Sequence, residues 1–499
     1  MRALALLLVL VAGPAWGQAR DPYDQDMAGK VFTAALQFIT PRALDPVTVE
    51  QLTIWGLRFA TTLDPDLTSA LAESAVTLRR GAEVLFQRPA PAEGDAAAWG
   101  GLAADFGAAA WAASQAIRDG GGQQLITTFF DEMFNHLDPY SRYVAPEAAD
   151  EDRARRSGEA GVGITLRQAG RYYYVQTVNG DGPAADAGIR PGDQLLAVDD
   201  QPVRGEDMDT VQGWIAGLEG SDVSLMLRAR NGRVRTVELE RAILPPETVF
   251  ASRAGDAALV RISGFSSDTD QRLARELDRQ FSNGGPRGLI LDLRGNRGGL
   301  LRQAVAATDL LLTSGVVATT SGRDPDAHHE WTADGGDVTR GKPVIVLVDG
   351  RSASAAEIMA GAIADDGRGV VVGSSTLGKG LVQTIETLPD GGELFVSWSR
   401  VLAPSGWPIQ GLGILPQVCT SLGAEPLAQQ LASLEKGIAP MAAALDRHRA
   451  ARTPLPSAEI VEQRSACPAA EGRDADMTTA RWLLSHPGAY NAALLPPPS

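Results

Sequence analysis

Cysteine is almost absent from this chain: Cys419 and Cys467 are its only two in 499 residues. That excludes a disulfide-built scaffold, and neither residue lies in a CxxC or beside a histidine cluster. The five histidines form no HExxH, so nothing supports a metal site or requires a cofactor. Excess positive charge is lacking too. With 45 Lys and Arg against 61 Asp and Glu, the net charge of −16 argues against a nucleic-acid partner, because phosphate binding needs a basic surface. Beyond the first residues no run is long and apolar enough to span a bilayer. Repeats are missing: the LDP turns in Gly56–Leu67 and Phe130–Ser141 amount only to similar helix endings. What remains, 44% hydrophobic and 21% charged residues, is the balance of an ordinary soluble protein, at a length that predicts two to four domains.

The opening MRALALLLVLVAGPAWGQA has one basic residue, Arg2, and an apolar stretch shorter than the ~20 residues of a membrane span. Small residues at Ala15 and Gly17 suit signal-peptidase cleavage before Gln18, with a cut after Ala19 as the alternative. We read a cleaved secretory signal, the other reading being an uncleaved anchor. No cysteine follows it, which argues against a lipoprotein anchor. From Asp21 to Ala116 the chain is rich in Ala and Leu and reads helical, with PAPAEGD (Pro89–Asp95) as a loop between helices. From Gly158 to about Arg241 short β-branched runs separated by Gly, Pro and Asn turns predict a small β-rich module. One helix interrupts it, with Val211, Trp214, Ile215 and Leu218 on one face. After Phe250 apolar strands alternate with helices, the pattern of a sheet covered by helices. From about Thr420 the tail reads helical.

The chemistry concentrates between Ser352 and Gln383, SASAAEIMAGAIADDGRGVVVGSSTLGKGLVQ. Ser354 falls where the strand PVIVLVD turns into a helix, and a helix N-terminus favours a developing oxyanion, with the N–H of Ala355 as a natural donor. The same serine also fits the S-x-x-E capping box with Glu357. Ser352 is a rival for either role. Lys379, between Gly378 and Gly380, is either a turn lysine or a general base; a closed site lined by Val370–Val372 would keep its amine neutral. Gln383 is spaced to orient that amine. A second cluster, LILDLRGNRGGLL, places Gly298 and Gly299 at a strand-to-helix turn whose N–H groups suit the other half of an oxyanion hole.

Together these segments resemble the carboxyl-terminal processing, or tail-specific, peptidases. GRSASAAEIMAGAIADDGR, GSSTLGKGLVQ, DLRGNRGG, LDPYSRYVAP and SGWPIQGLGILPQ are similar to that family's signatures, in order, between about Gln123 and Gln417. The resemblance implies Ser354 as nucleophile, Lys379 as base, Gln383 holding the lysine, and an oxyanion hole from Ala355 and the Gly298–Gly299 turn. It also implies that Glu357 satisfies the helix end in another way. The β-rich module, with GPAADAGIRPGDQLLAVDDQPV, resembles a PDZ domain: Gly161, Val162, Gly163 and Ile164 look like its carboxylate loop, and Val211, Trp214, Ile215 and Leu218 like the other wall of its peptide groove. Arg297, Ala356 and Gln417 depart from the family's usual proline, serine and aspartate.

The expected architecture is α/β, a multidomain α+β chain with a crotonase-like protease core, an inserted β-rich PDZ domain and helical N- and C-terminal segments. The expected boundaries are 1–19 signal, 20–122 helical region, 123–157 first part of the protease cap and core, 158–243 PDZ, 244–419 Ser/Lys core and 420–499 helical tail. The expected function is that of an exported, periplasmic serine endopeptidase without cofactor. It would act on protein or peptide substrates with free C-termini, which the PDZ domain presents, with gating by that domain or by an activator or adaptor protein. Homo-oligomers are left open. So is the pairing of the cysteines, one disulfide tying the tail to the core or two independent thiols. The rivals are a silent PDZ scaffold, a non-peptidase hydrolase, and a Ser–His–Asp arrangement using His328 or His329.

Overall fold

The computed structural model describes residues 21–282 and 285–497, and the chain divides into two units. The expected leader, 1–19, lies outside the described residues. The first unit takes the chain up to Ala149 together with Gln383–Ser397; the second takes Asp150–Val382 and the chain from Trp398 onward.

At the centre of the second unit lies a six-stranded sheet, in the order Val249–Ala254, Ala257–Ile262, Leu289–Asp292, Val344–Val348, Gly369–Gly373, Val418–Cys419. The first pair is antiparallel and every later pair parallel. Parallel strands covered on both faces read as continuous apolar runs, and Val344–Val348 is buried at every position. Val344, Val346 and Val348 pack with Leu273, Ala304 and the helix Ala355–Asp365. Ile345 and Leu347 face the opposite way, onto Leu434, Leu483 and Tyr490 of the tail helices. The tail therefore forms the second helical layer of the core. A disulfide joins Cys419 to Cys467, Cα atoms 5.7 Å apart, and decides the question the sequence left open.

The β-rich module is inserted before this sheet. Its strands run in the order Val234–Glu240, Asp222–Arg228, Gln194–Val198, Tyr172–Val178, Ile164–Ala169, leaving Ile164–Ala169 at an edge. Where the chain enters and leaves, Glu159–Gly161 pairs antiparallel with Ala242–Leu244. Its own core gathers Val162, Tyr173, Leu195, Val211, Leu225 and Leu239.

The first unit is not helical throughout. Residues Leu67–Ala72, Ala75–Arg80 and Glu83–Pro89 form a three-stranded antiparallel sheet, and PAPAEGD connects its last strand to the helix Ala96–Ala113 rather than two helices. The alanine-rich composition masked alternating runs, AVTLRR and EVLFQRP, reversed by Glu73 and Ser74 at φ 51° and 63° and by Gly81. Around it the helices Gln25–Arg42, Ala96–Ala113 and Gly122–Phe134 bury Phe32, Trp99, Phe106, Phe129 and Phe130. Among the described residues no helix is long and apolar enough to cross a membrane.

One tail residue couples this packing to pH. His448, in the helix Ala442–Ala450, is buried against Trp407, and its Nε2 lies 3.1 Å from the Gly413 carbonyl oxygen. Burial holds its imidazole down to about 4, with the charge of Arg464 acting in the same direction against the Gly413 hydrogen bond. Below pH ~6.5 the unfolded chain takes up a proton that the folded one refuses, so folding stability falls as pH drops toward ~4, by on the order of 3 kcal/mol. Thermal unfolding followed across that range should show this loss, and His448→Gln should flatten it; equal slopes for the two proteins would exclude His448 as the source.

Candidate active site

Ser354 ends a sharp strand–loop–helix passage, from Val344–Val348 through Asp349–Ala353 into Ala355–Asp365. Its backbone sits at φ 56°, ψ −119°, a region that residues with a Cβ rarely adopt and that persists only when the surroundings enforce it. The enforcing contacts are visible. Ala353 N–H donates to the Asn296 carbonyl oxygen at 2.9 Å, and Ser354 N–H donates to Glu357 Oε2 at 2.7 Å. The N–H of Glu357 goes to the serine's carbonyl oxygen at 2.8 Å. Glu357 thus secures the helix start through the serine's main chain. Ser352 is removed as a rival nucleophile: it is fully buried and its hydroxyl donates to the Leu293 carbonyl oxygen at 2.8 Å.

Glu357 also organises the lysine. Its side chain is wholly buried, and its carboxylate accepts from Thr376 Oγ1, from Gly378 N–H at 2.6 Å and from Lys379 N–H at 2.9 Å, besides Ser354 N–H. The segments carrying Ser354 and Lys379 therefore share one oxygen, Oε2. Burial pushes the Glu357 carboxyl above its ordinary value, and the four hydrogen bonds pull it back. A neutral acid offers a proton where these partners offer only protons, so the arrangement fits the anion. The lysine's frame differs from the expected valine lining. Val370 and Val372 turn into the core beneath the tail helices and Val371 into the core on the other face. Around the half-buried lysine, Gly411 N–H donates to Gly378 O at 2.9 Å and Gly380 N–H to Gln410 Oε1 at 2.9 Å. The glycines are required there: a Cβ on Gly380 would lie 2.2 Å from Gln410 N.

The Gly298–Gly299 turn comes directly against the serine. A Cβ on Gly298 would lie 2.8 Å from Ser354 Cβ and 3.1 Å from Ala355 N. Gly298 N–H, however, donates to Asn296 Oδ1 at 2.8 Å, while Asn296 Nδ2 donates to Ile262 O at 2.8 Å. This buried asparagine, unremarked in the sequence beyond its place in RGNRGG, therefore removes Gly298 as an oxyanion donor. Among the described residues, the N–H groups of Gly299 and Ala355 make no internal hydrogen bond. Of the departures from the family pattern, Arg297 is exposed, Ala356 is buried in the core, and Gln417 bridges a strand, accepting from Val371 N–H at 2.8 Å and donating to Gly369 O at 3.2 Å. His328 and His329 are exposed, and His329 packs edge-on against Trp331.

Gln383 belongs to the first unit, where its Nε2 donates to the Tyr140 carbonyl oxygen at 2.6 Å. The LDPYS turn shapes that acceptor: Asp138 accepts from the N–H groups of Tyr140 and Ser141, both at 3.0 Å, and from Ser397 Oγ at 2.7 Å.

In the β-rich module a cavity of about 590 Å³ opens beside the edge strand, lined by Gly161, Val162, Gly163 and Ile164. The facing wall differs from the expected one. Ile215 lines the cavity with Gln212, Gly213 and Ala216, whereas Val211 lies in the module's core, Trp214 packs on that core, and Leu218 is 84% exposed beyond the helix. The helix stops at Ile215 because Arg241 caps it, donating to the carbonyl oxygens of Ile215 at 2.9 Å and Trp214 at 3.0 Å.

Residues 256–420 match the model of peptidase family S41, and residues 174–241 match a PDZ domain. A carboxy-terminal-processing protease of Bartonella bacilliformis is 34% identical over 301 residues, 59% of this chain and 69% of that one. The chain belongs to the carboxyl-terminal processing family of S41 peptidases. A carboxyl-terminal-processing protease of Picosynechococcus is 32% identical, covering 56% of this chain and 69% of that protein. The chloroplastic C-terminal processing peptidase of Tetradesmus obliquus is 33% identical, covering 56% and 64%. As an S41 peptidase with a PDZ domain, the chain is a serine-type peptidase acting on peptide or protein substrates.

Replacing Glu357 by Gln puts an amide nitrogen where a carboxylate oxygen accepted two donors, each orphaned at about 1–3 kcal/mol. Where Ser354 and Lys379 are the reacting pair, displacing them by ~1 Å costs about 10²-fold in rate. Glu357→Gln is therefore expected to lower kcat by that order in a peptide-hydrolysis assay and to lower the thermal midpoint; wild-type kcat would show that the loops hold without the carboxylate.

Proposed function

We propose that this S41 peptidase is an exported Ser/Lys endopeptidase that cleaves proteins at or near C-terminal tails captured by its PDZ domain. The observation carrying this reading is the shared Glu357 oxygen, which brings the main chains of Ser354 and Lys379 to one point. Lys379, as the neutral amine, takes the Ser354 proton, and the alkoxide attacks the scissile carbonyl. The oxyanion forms against the N–H groups of Ala355 and Gly299. The protonated lysine then returns its proton to the leaving amine, and water releases the acyl group by the same route. Gln383, four positions beyond the lysine, is assigned the orienting role that the family resemblance implies.

The PDZ groove would take a free C-terminal carboxylate on Gly161–Ile164 and add the peptide as a strand to the open edge of Ile164–Ala169. Val162, Leu166, Ile215 and Ala216 beside it favour an apolar last residue. The Cys419–Cys467 disulfide supports export to an oxidising compartment such as the periplasm. Gating by the PDZ domain or an activator protein, and assembly into homo-oligomers, extend the same reading.

The test compares the wild-type chain with Ser354→Ala and Lys379→Ala on casein and on a peptide with a free apolar C-terminus. Each variant should lose at least about 10³-fold in kcat. Equal cleavage by all three would move the chemistry to another residue. Binding of the peptide without any cleavage, even by wild type, would leave the PDZ-scaffold reading. Amidating the peptide's C-terminus should abolish capture, and undiminished binding would dismiss the carboxylate loop.

A further inference from the structure

The tail from Ser421 onward lies outside the matched peptidase segment, yet it touches the loops of the candidate site. Arg464, the last residue of the helix Ser457–Arg464, donates from Nη2 to the Thr376 carbonyl oxygen at 2.7 Å and from Nη1 to Leu412 O at 2.6 Å and Gly411 O at 3.3 Å. Thr376 is the residue whose hydroxyl reaches Glu357, and it also accepts from Ile414 N–H at 2.7 Å. Gly411 is the residue whose N–H holds Gly378 O. One guanidinium thus bridges the two stretches of main chain between which Lys379 is framed. Burial lowers the pKa of the Arg464 guanidinium, and the charge of Glu357 opposes that shift.

Three carbonyl oxygens converging on one point repel each other unless a multivalent donor sits among them. A planar fork with five N–H groups meets that need, whereas an ammonium concentrates its charge on one atom. The residues after Arg464 are fixed as well. Cys467 is tied to Cys419, Ala470 accepts from Gly350 N–H at 2.7 Å and from Ser374 Oγ at 2.9 Å, and Gly472 N–H donates to Asp349 Oδ2 at 3.1 Å. Arg294, next to the glycine turn, pairs with Asp476 at 3.1 Å.

We propose that Arg464 is a positioning residue for catalysis, holding the Thr376–Gly380 loop so that Lys379 faces Ser354. The proposal rests on the Ser/Lys reading and gives the tail a part in the reaction. Arg464 touches no reacting atom and acts through the main chain of Thr376.

The full chain is compared with Arg464→Met and Arg464→Lys by three measurements: kcat and KM on a peptide, PDZ capture of that peptide, and amide hydrogen exchange at Gly378 and Lys379. Arg464→Met should lower kcat by about 10–100-fold with KM and peptide capture unchanged, and exchange at the two amides should quicken by about tenfold or more. Arg464→Lys should recover part of kcat. Unchanged kcat, a loss confined to KM, or unchanged exchange would each overturn the proposal. Should Arg464→Met not fold, Arg464→Lys decides alone: lowered kcat at a wild-type thermal midpoint supports the role, and wild-type kcat refutes it. If the wild type hydrolyses nothing, either an activator is missing or the Ser/Lys reading fails, while the exchange rates still judge whether Arg464 holds the loop.

Discussion

A carboxylate taken wholly out of water holds this site together. Glu357 sits one helical turn after Ser354, and among the described residues its donors are three main-chain N–H groups and one hydroxyl. A buried anion is costly unless its lone pairs are filled, and filling them here draws three N–H groups and one hydroxyl to one place. The cost of burial therefore acts as a geometric constraint. The lysine loop closes onto the serine helix because its N–H groups and hydroxyl fill the lone pairs that Ser354 N–H leaves open. The unusual backbone of Ser354 follows from the same demand: its N–H must point at Oε2 while the helix begins.

Much of this was legible in the sequence because the requirements are local. Gly378 and Gly380 flank Lys379 because neighbouring main chain leaves no room for a Cβ, and Gly298 is glycine because Ser354 occupies that space. Continuous valines announced a sheet covered on both faces. The contributions that escaped reading are those made across the chain. Nothing in SAEIVEQR marks Arg464 as anything but a surface charge, since its partners are carbonyl oxygens that carry no side-chain signature. Asn296 is hidden for a similar reason, acting on the main chain of Gly298 and Ile262. The S-x-x-E spacing did mark Glu357, but as a helix cap, and spacing alone cannot show that a second loop reaches the same carboxylate.

The PDZ module shows the same limit at smaller scale. Periodicity placed Val211, Trp214, Ile215 and Leu218 on one helical stripe, and the stripe is real as far as Ile215. Arg241, between two strands later in the chain, stops the helix there, and Leu218 lies in solvent. The groove then uses the neighbouring positions, Gln212, Gly213 and Ala216. The module is also bound to the core, since Asp181 pairs with Arg275 of the helix Thr269–Phe281 at 2.7 Å. A peptide entering beside the edge strand would meet a domain already charge-paired to the core.

The position of the tail in the chain gives an order of events. Ser354, Lys379 and the glycine turn are synthesised before Arg464, Ala470 and Gly472 exist to support them. A nascent chain that has just emitted every recognisable motif still lacks the guanidinium that bridges Thr376 and Leu412, and the disulfide that fixes that guanidinium's neighbourhood requires an oxidising environment. The support of the Ser354 and Lys379 loops is thereby deferred until Arg464 and the residues after it have been made and Cys419 and Cys467 have joined. Chain order alone thus separates the making of these motifs from the making of the segment that supports them.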